Sequence, residues 1–314
     1  MKTRTIQYLP GGGLEVVSVD VPEPGPGEVQ VRGSACGICA WDINTYRSGN
    51  QVTWAAPPGH EGIGRVVKVG PGVKGLQEGD RVAAGGFAGL ANVPASSAYK
   101  MPESELEDIY WLVEPLSCVV TGVDHCDLKI GDRVAVVGCG FMGLLLVQCL
   151  ARSFAERLVA ADVSPERLAL ASQFGADTVL NPLQADAEAQ IAALQALEID
   201  TVVDASGSQA GFALTQRLVR RGGRINNFGW IHGDVTISGD AWHMLGYTVV
   251  NSSPAARLRD PFPTAIRLLA ADRIDTRPLV THVVSLDEMG ALLASVAAGQ
   301  EKRYIKGVVT LQDA

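Results

Sequence analysis

The stretch RVAVVGCGFMG, Arg133 to Gly143, restricts the possible folds of this chain more than any other. RVAVV reads as a buried strand, and FMGLLLVQCLARSF, which follows the loop, reads as a helix. Gly138, Gly140 and Gly143 fall as G-x-G-x-x-G between them. The first glycine permits a tight turn. The second lets the backbone approach a pyrophosphate, and the third lets helix and strand pack closely. The helix N-terminus then faces the anion with unsatisfied N–H groups. Asp162 completes the pattern at the end of the next strand, RLVAADV. A carboxylate there accepts hydrogen bonds from the adenosine ribose and repels a 2′-phosphate. Val163, Ser164 and Pro165 follow it, with no Arg or Lys directly after the acid. The expected cofactor is therefore NAD rather than NADP, with Phe141 and Met142 in the cofactor-binding loop beside the glycines.

The alternation continues beyond this unit. SPERLALASQFG reads as a helix, TVVDASG as a strand, AGFALTQRLV as a helix, and GGRINNFGW and YTVVNSS as strands. Strand and helix in turn predict a doubly wound parallel sheet in an α/β chain. The first 110 residues read differently. They are rich in Gly and Pro, and EVVSVDVP, GEVQVRGSAC, GIGRVVKVG and DRVAAGG are short strands between turns, a β-barrel-like pattern. From about Pro261 the tail gives helix, strand, helix and strand, ending in YIKGVVTL, and is expected to return to the barrel. A length of 314 residues suits about two domains. The expected division is 1–115 with 258–314, and 116–257.

The balance of 26 basic to 34 acidic residues, a formal net charge of −8, argues against a nucleic-acid partner. No apolar run approaches the length of a membrane span, and the N-terminus shows no leader pattern. A cytoplasmic location is expected, and the six cysteines then read as free thiols or metal ligands.

Four residues carry the remaining chemistry: Cys39 in ACGICAWDINTYRSGN, His60 and Glu61 in PPGHEGIGRV, and Glu114 in LVEPLSC. Each alone has an ordinary reading, as a small buried thiol, a loop imidazole or a helix-start acid. Scattered single ligands of Cys, His and carboxylate type, however, suit a catalytic zinc, which takes three protein ligands and keeps one position open.

At this point the chain resembles the medium-chain dehydrogenase/reductase superfamily, in particular its zinc-dependent alcohol and polyol (sorbitol dehydrogenase-like) branch. The resemblance spans essentially the whole chain and rests on GICAWD, GHEGIGRVVKVGPGV, GDRV, EPLSC, VVGCGFMG, DASGS and YIKGVV. It implies a GroES-like β-barrel catalytic domain and a Rossmann NAD-binding domain, with the active site in the cleft between them. It also implies hydride transfer between NAD(H) and a small-molecule secondary alcohol or ketone, in a homodimer or homotetramer. Carried over by position, Cys39, His60 and Glu114 are the metal ligands and Glu61 is an exchangeable ligand. Asp42 orients the metal-bound His or stabilises the site. Ser206, Phe228 and Gly229 line the nicotinamide side, and Lys306 meets the pyrophosphate.

Two departures stand out. The lobe that holds a second, structural zinc in larger relatives has no counterpart, because no cysteine lies between Asp80 and Glu114. One catalytic zinc per chain and no structural zinc is expected. Trp41 stands where relatives carry Ser or Thr, and Asn44 where a relay His often stands. An indole N–H donates but does not accept. The substrate proton then needs another route, through Glu61 or through Tyr46 and water. Trp41, Tyr46 and Trp54 are expected in the substrate pocket. The acidic ligand type leans toward polyols, sugars or cyclitols. A biosynthetic enzyme acting on a bulky cyclic alcohol, and a metal-free NAD-binding sensor without turnover, are the competing readings.

Overall fold

The structure is a computed structural model that describes residues 1–49, 58–312 and 314. It contains two compact units, Met1–Pro115 with Ala265–Ala314, and Leu116–Thr264. The second boundary falls at 264/265 rather than 257/258. The intervening segment is tied to the second unit: Arg259 donates to both carboxylate oxygens of Asp124, at 2.7 and 2.8 Å.

The chain opens with an antiparallel ribbon, β1 (Lys2–Tyr8) and β2 (Leu14–Asp20). No strand is expected over β1, because Thr3 and Thr5 fill its inward positions and hide the apolar alternation. β3 (Glu28–Gly37) pairs antiparallel with β4 (Glu61–Val69), and the register sets Gly37 opposite Glu61. β5 (Arg81–Ala83) lies on β4, β6 (Leu90–Pro94) on β3, and β7 (Tyr99–Lys100) on β5. Val29, Val31, Val66, Val82 and Val93 form the core beneath them. Helix α1 (Ala40–Ser48) follows β3 and has no clear apolar stripe. Its ends hold it instead. Asp42 accepts the N–H of the N-cap residue Cys39, and Gly49 closes the C-terminus in the left-handed region with its N–H on Thr45 O. Helix α2 (Val113–Cys126) carries Glu114 in its first turn. The segment before it is pinned by the buried Arg81, which pairs with Asp108 and lies 4.5 Å over the Trp111 ring.

The second unit continues with β8 (Arg133–Val137), α3 (Phe141–Leu150), β9 (Arg157–Ala161), α4 (Pro165–Gln173), β10 (Thr178–Leu180), α5 (Ala187–Gln195), β11 (Ile199–Asp204), α6 (Gln209–Leu218), β12 (Val219–Asn227), α7 (Gly239–Leu245) and β13 (Thr248–Asn251). All six strands are parallel, in the order β10-β9-β8-β11-β12-β13. This order reverses direction at β8/β11, where a nucleotide crevice forms in such sheets. Helix α3 is buried almost all round, as an apolar helix without a polar face must be. It ends at Leu150 rather than Phe154, where Ser153 Oγ donates to the Leu150 carbonyl at 2.7 Å. Burying each of its leucines contributes about 1.5–3 kcal/mol, enough to hold a short helix whose N-cap, Gly140, has no side chain to cap it.

The tail forms α8 (Phe262–Ala270), β14 (Val280–Ser285), α9 (Met289–Ala297) and β15 (Lys306–Thr310). β15 runs antiparallel to β3, with Val308 opposite Gly37, so the tail does return to the first sheet. No helix among the described residues is long and apolar enough to cross a membrane.

Candidate functional site

The β3–α1 junction supplies Cys39, and the start of β4 supplies His60 and Glu61. One ligand atom from each of the three lies within 4.8 Å of the others. Glu61 is 4% exposed, and a single ammonium holds its carboxylate. Lys306 Nζ donates to Glu61 Oε1 at 2.8 Å and to the Ile38 carbonyl at 2.8 Å. Glu61 Oε2 lies 2.6 Å from the same ammonium but has no hydrogen bond of its own. Gly37 makes room for this carboxylate, since a Cβ there would stand 2.1 Å from Oε2.

A Cys, His and carboxylate set at this spacing, with one buried carboxylate oxygen lacking a hydrogen bond, fits zinc. Glu114 stands outside the three-residue group, yet its charge reaches His60. A carboxylate oxygen of Glu61 thus lies in the group with Cys39 and His60, while Glu114 acts on His60 through its charge.

Burial pulls the His60 imidazole down. A hydrogen bond to Cys39 and the charges of Glu61, Glu114 and Cys39 outweigh it and raise the pKa to about 10. The metal-free site thus holds a proton where a metal ligand must be neutral. The sign follows: metal binding at pH 7 expels this proton, so zinc affinity rises about tenfold per pH unit through the neutral range and levels off above about 10. Chelator competition between pH 6 and 8 checks this, and an affinity independent of pH would contradict it.

In the second unit Gly138 has φ +97°, and a Cβ there would meet the Ser206 backbone at 2.6 Å. A Cβ on Gly143 would meet the Gly138 carbonyl at 1.8 Å, whereas nothing lies within 4 Å of one on Gly140. The loop is thus packed tight at two glycines and open at the third, which caps α3 without a side-chain bond. That arrangement fits a dinucleotide phosphate. Asp162 accepts the Cys139 N–H on Oδ2 at 2.6 Å and the Ser164 N–H on Oδ1 at 2.8 Å, which holds its carboxylate at the loop.

Comparison with known proteins agrees with both halves. The family described as alcohol dehydrogenase GroES-like domain matches residues 25–103, and zinc-binding dehydrogenase matches 142–271. L-threonine 3-dehydrogenase of Pyrococcus horikoshii is 30% identical over 321 residues, covering 90% of each chain. The chain belongs to the zinc-type medium-chain dehydrogenases. Sorbitol dehydrogenase of Gallus gallus is 28% identical over 88% of each chain. An alcohol dehydrogenase from Escherichia coli CFT073, solved with NADH, superposes with a TM-score of 0.86 at 25% identity, covering 98% of this chain and 99% of the other. This medium-chain dehydrogenase is an enzyme that transfers hydride between NAD(P)(H) and a secondary alcohol or its ketone.

Several residues land away from their expected places. Lys306 is 3% exposed with its ammonium on Glu61 and Ile38 O, so the expectation of an open phosphate contact is corrected to a partner of Glu61. Asp42 bonds the Cys39 N–H and the Tyr8 hydroxyl rather than the His60 ring. Burial pushes its carboxyl up to about 6, against those two bonds and the charge of His60. Trp41 and Tyr46 are half-buried and pack on the cluster of Ile6, Tyr8, Cys36 and Ile38. The Trp41 indole meets Tyr8 in a T-shaped contact with ring centroids 6.4 Å apart. Trp54 lies outside the described residues.

Ser206 donates its N–H and hydroxyl to Asp204 Oδ1, at 2.9 and 2.7 Å, and packs under Gly138. Gly229 N–H donates to the Asp204 carbonyl, and the Phe228 ring packs on α2 where a Cβ on Gly122 would touch it at 2.7 Å. Sequence reasoning did not single out Tyr8, the buried Asp204 within DASGS, or Arg167, whose charge reaches Cys139 in the glycine loop. Arg167 could have been found as the basic residue in the first turn of α4, next in space to the loop that Asp162 marks.

Proposed function

We propose that this dehydrogenase is NAD-dependent, carries one zinc per chain at Cys39, His60 and Glu61 with Glu114 nearby, and oxidises a polyol, sugar or cyclitol in the cytoplasm. The observation that carries the reading is that ligand atoms of Cys39, His60 and the buried Glu61 carboxylate lie within 4.8 Å of one another. When bound, zinc supplies Lewis acidity toward the substrate oxygen and NAD supplies the hydride acceptor.

The chain's own residues prepare both. Lys306 pairs with the buried Glu61 carboxylate and orients it. Asp42 fixes the Cys39 peptide. Asp162 presents a fixed negative charge beside the glycine loop, which favours free ribose hydroxyls over a 2′-phosphate. Threonine and sorbitol, named in two relatives, each carry a secondary hydroxyl beside another polar group, which supports the substrate class. A homo-oligomer is consistent with the exposed apolar residues Trp230, Val235, Ile237, Met244 and Leu258, which cluster in sequence around the edge strand β13.

The test is a reduction screen of the zinc-loaded enzyme over polyols, sugars, cyclitols and simple alkanols with both nucleotides. Turnover is expected with a polyhydroxylated substrate, and kcat/KM at least about tenfold higher with NAD than NADP. Preference for NADP, with the Arg167 guanidinium as its receptor, would overturn the cofactor choice.

A further inference from the structure

We infer that Tyr8 is a positioning residue of the metal centre, acting through Asp42 on the backbone of Cys39. The inference rests on the zinc reading above. Tyr8 ends β1 and is 7% exposed. Its hydroxyl donates to Asp42 Oδ1 at 2.9 Å, while Asp42 Oδ2 accepts the Cys39 N–H at 2.7 Å. Asp42 is fully buried, so one carboxylate bridges a phenol on the first strand and the peptide of the sulfur ligand.

Two bonds do what one cannot. A carboxylate bonded at a single oxygen still turns about its terminal torsion, which is soft. With both oxygens bonded its plane is fixed, and so is the direction from which it grips the Cys39 N–H. That peptide is the N-cap of α1, and its orientation sets where the Cys39 Cα–Cβ bond points. The phenol is itself rigidly seated. The Trp41 indole meets it at an interplanar angle of 82°, and Ile6, Cys36, Ile38 and Leu293 pack in the same cluster. Trp41 therefore has a role here that a proton relay would not give it. It wedges the ring whose hydroxyl supports the metal site. Groups that orient ligands from behind are worth about 10–100-fold in metal affinity.

Tyr8→Phe keeps the ring and removes one oxygen. The experiment loads metal-free wild type, Tyr8→Phe, Asp42→Asn and the double variant with Co2+ and with Zn2+, by competition with a chromogenic chelator. The expected result for Tyr8→Phe is about 10–100-fold weaker metal binding. The sulfur-to-cobalt absorption band should shift, and the rise in melting temperature on adding zinc should shrink. Because Tyr8 acts through Asp42, the double variant should bind metal as Asp42→Asn does.

Binding within about twofold of wild type with an unchanged cobalt spectrum would overturn the inference alone. So would losses that add in the double variant. A wild type that binds no more metal than Cys39→Ser would overturn the zinc reading and the inference with it.

Discussion

Lys306→Met is expected to destabilise the metal-free first unit by about 3–5 kcal/mol, the penalty for leaving a buried charge without its partner. The Lys306 and Glu61 side chains are only 4% and 2% exposed, and Glu61 Oε2 has no hydrogen bond to fall back on. Burial opposes the Lys306 charge, but Glu61, Cys39 and Tyr304 raise its pKa to about 12. A raised lysine contributes its full stability below its unfolded value near 10.4 and loses it only as pH climbs through about 12. The pair therefore persists across the neutral range. Adding Glu61→Gln to Lys306→Met should restore most of the loss, since a neutral amide tolerates burial better than a lone carboxylate. Zinc should also narrow the gap by supplying the missing positive charge. Denaturant titration of the metal-free and zinc-loaded proteins measures all of these. A loss under about 1 kcal/mol in the metal-free variant would mean that Glu61 finds another partner.

The second large effect is expected from Cys39→Ala. Bound zinc should fall close to zero, and kcat by about a thousandfold or more, because a metal acting as a Lewis acid is worth several kcal/mol of barrier. The glycine loop and Asp162 belong to the other compact unit, so NAD affinity should stay within about threefold of wild type. Metal analysis, nucleotide titration and single-turnover kinetics on one preparation separate these outcomes. A variant that keeps one zinc per chain would show that His60, Glu61 and Glu114 suffice without sulfur.

Much of the second unit was legible in the sequence because its order is local. Each strand and the helix after it fall within about thirty residues, and Gly138, Gly140, Gly143 and Asp162 lie in one such unit. The first unit was less legible. β1 hides its alternation behind inward-facing Thr3 and Thr5, and α1 depends on its caps rather than on an apolar stripe. Trp41 shows the same limit at one side chain. Its place in the motif marked it as unusual, but its contact with Tyr8 depended on a strand about thirty residues earlier.

The sequence by itself determined the doubly wound sheet, the tight glycine loop and the presence of Cys39, His60, Glu61 and Glu114 as residues of metal-ligand type, because each follows from residue type and short-range spacing. Only the tertiary structure decided that a Glu61 carboxylate oxygen lies beside Cys39 and His60 and that Lys306 pairs with Glu61. That decision depends on Gly37 standing opposite Glu61 across β3 and β4, and on β15 returning Lys306 to a partner 245 residues away. A buried ion pair formed at that separation has no periodicity, so sheet register creates a contact that the linear order of residues does not record.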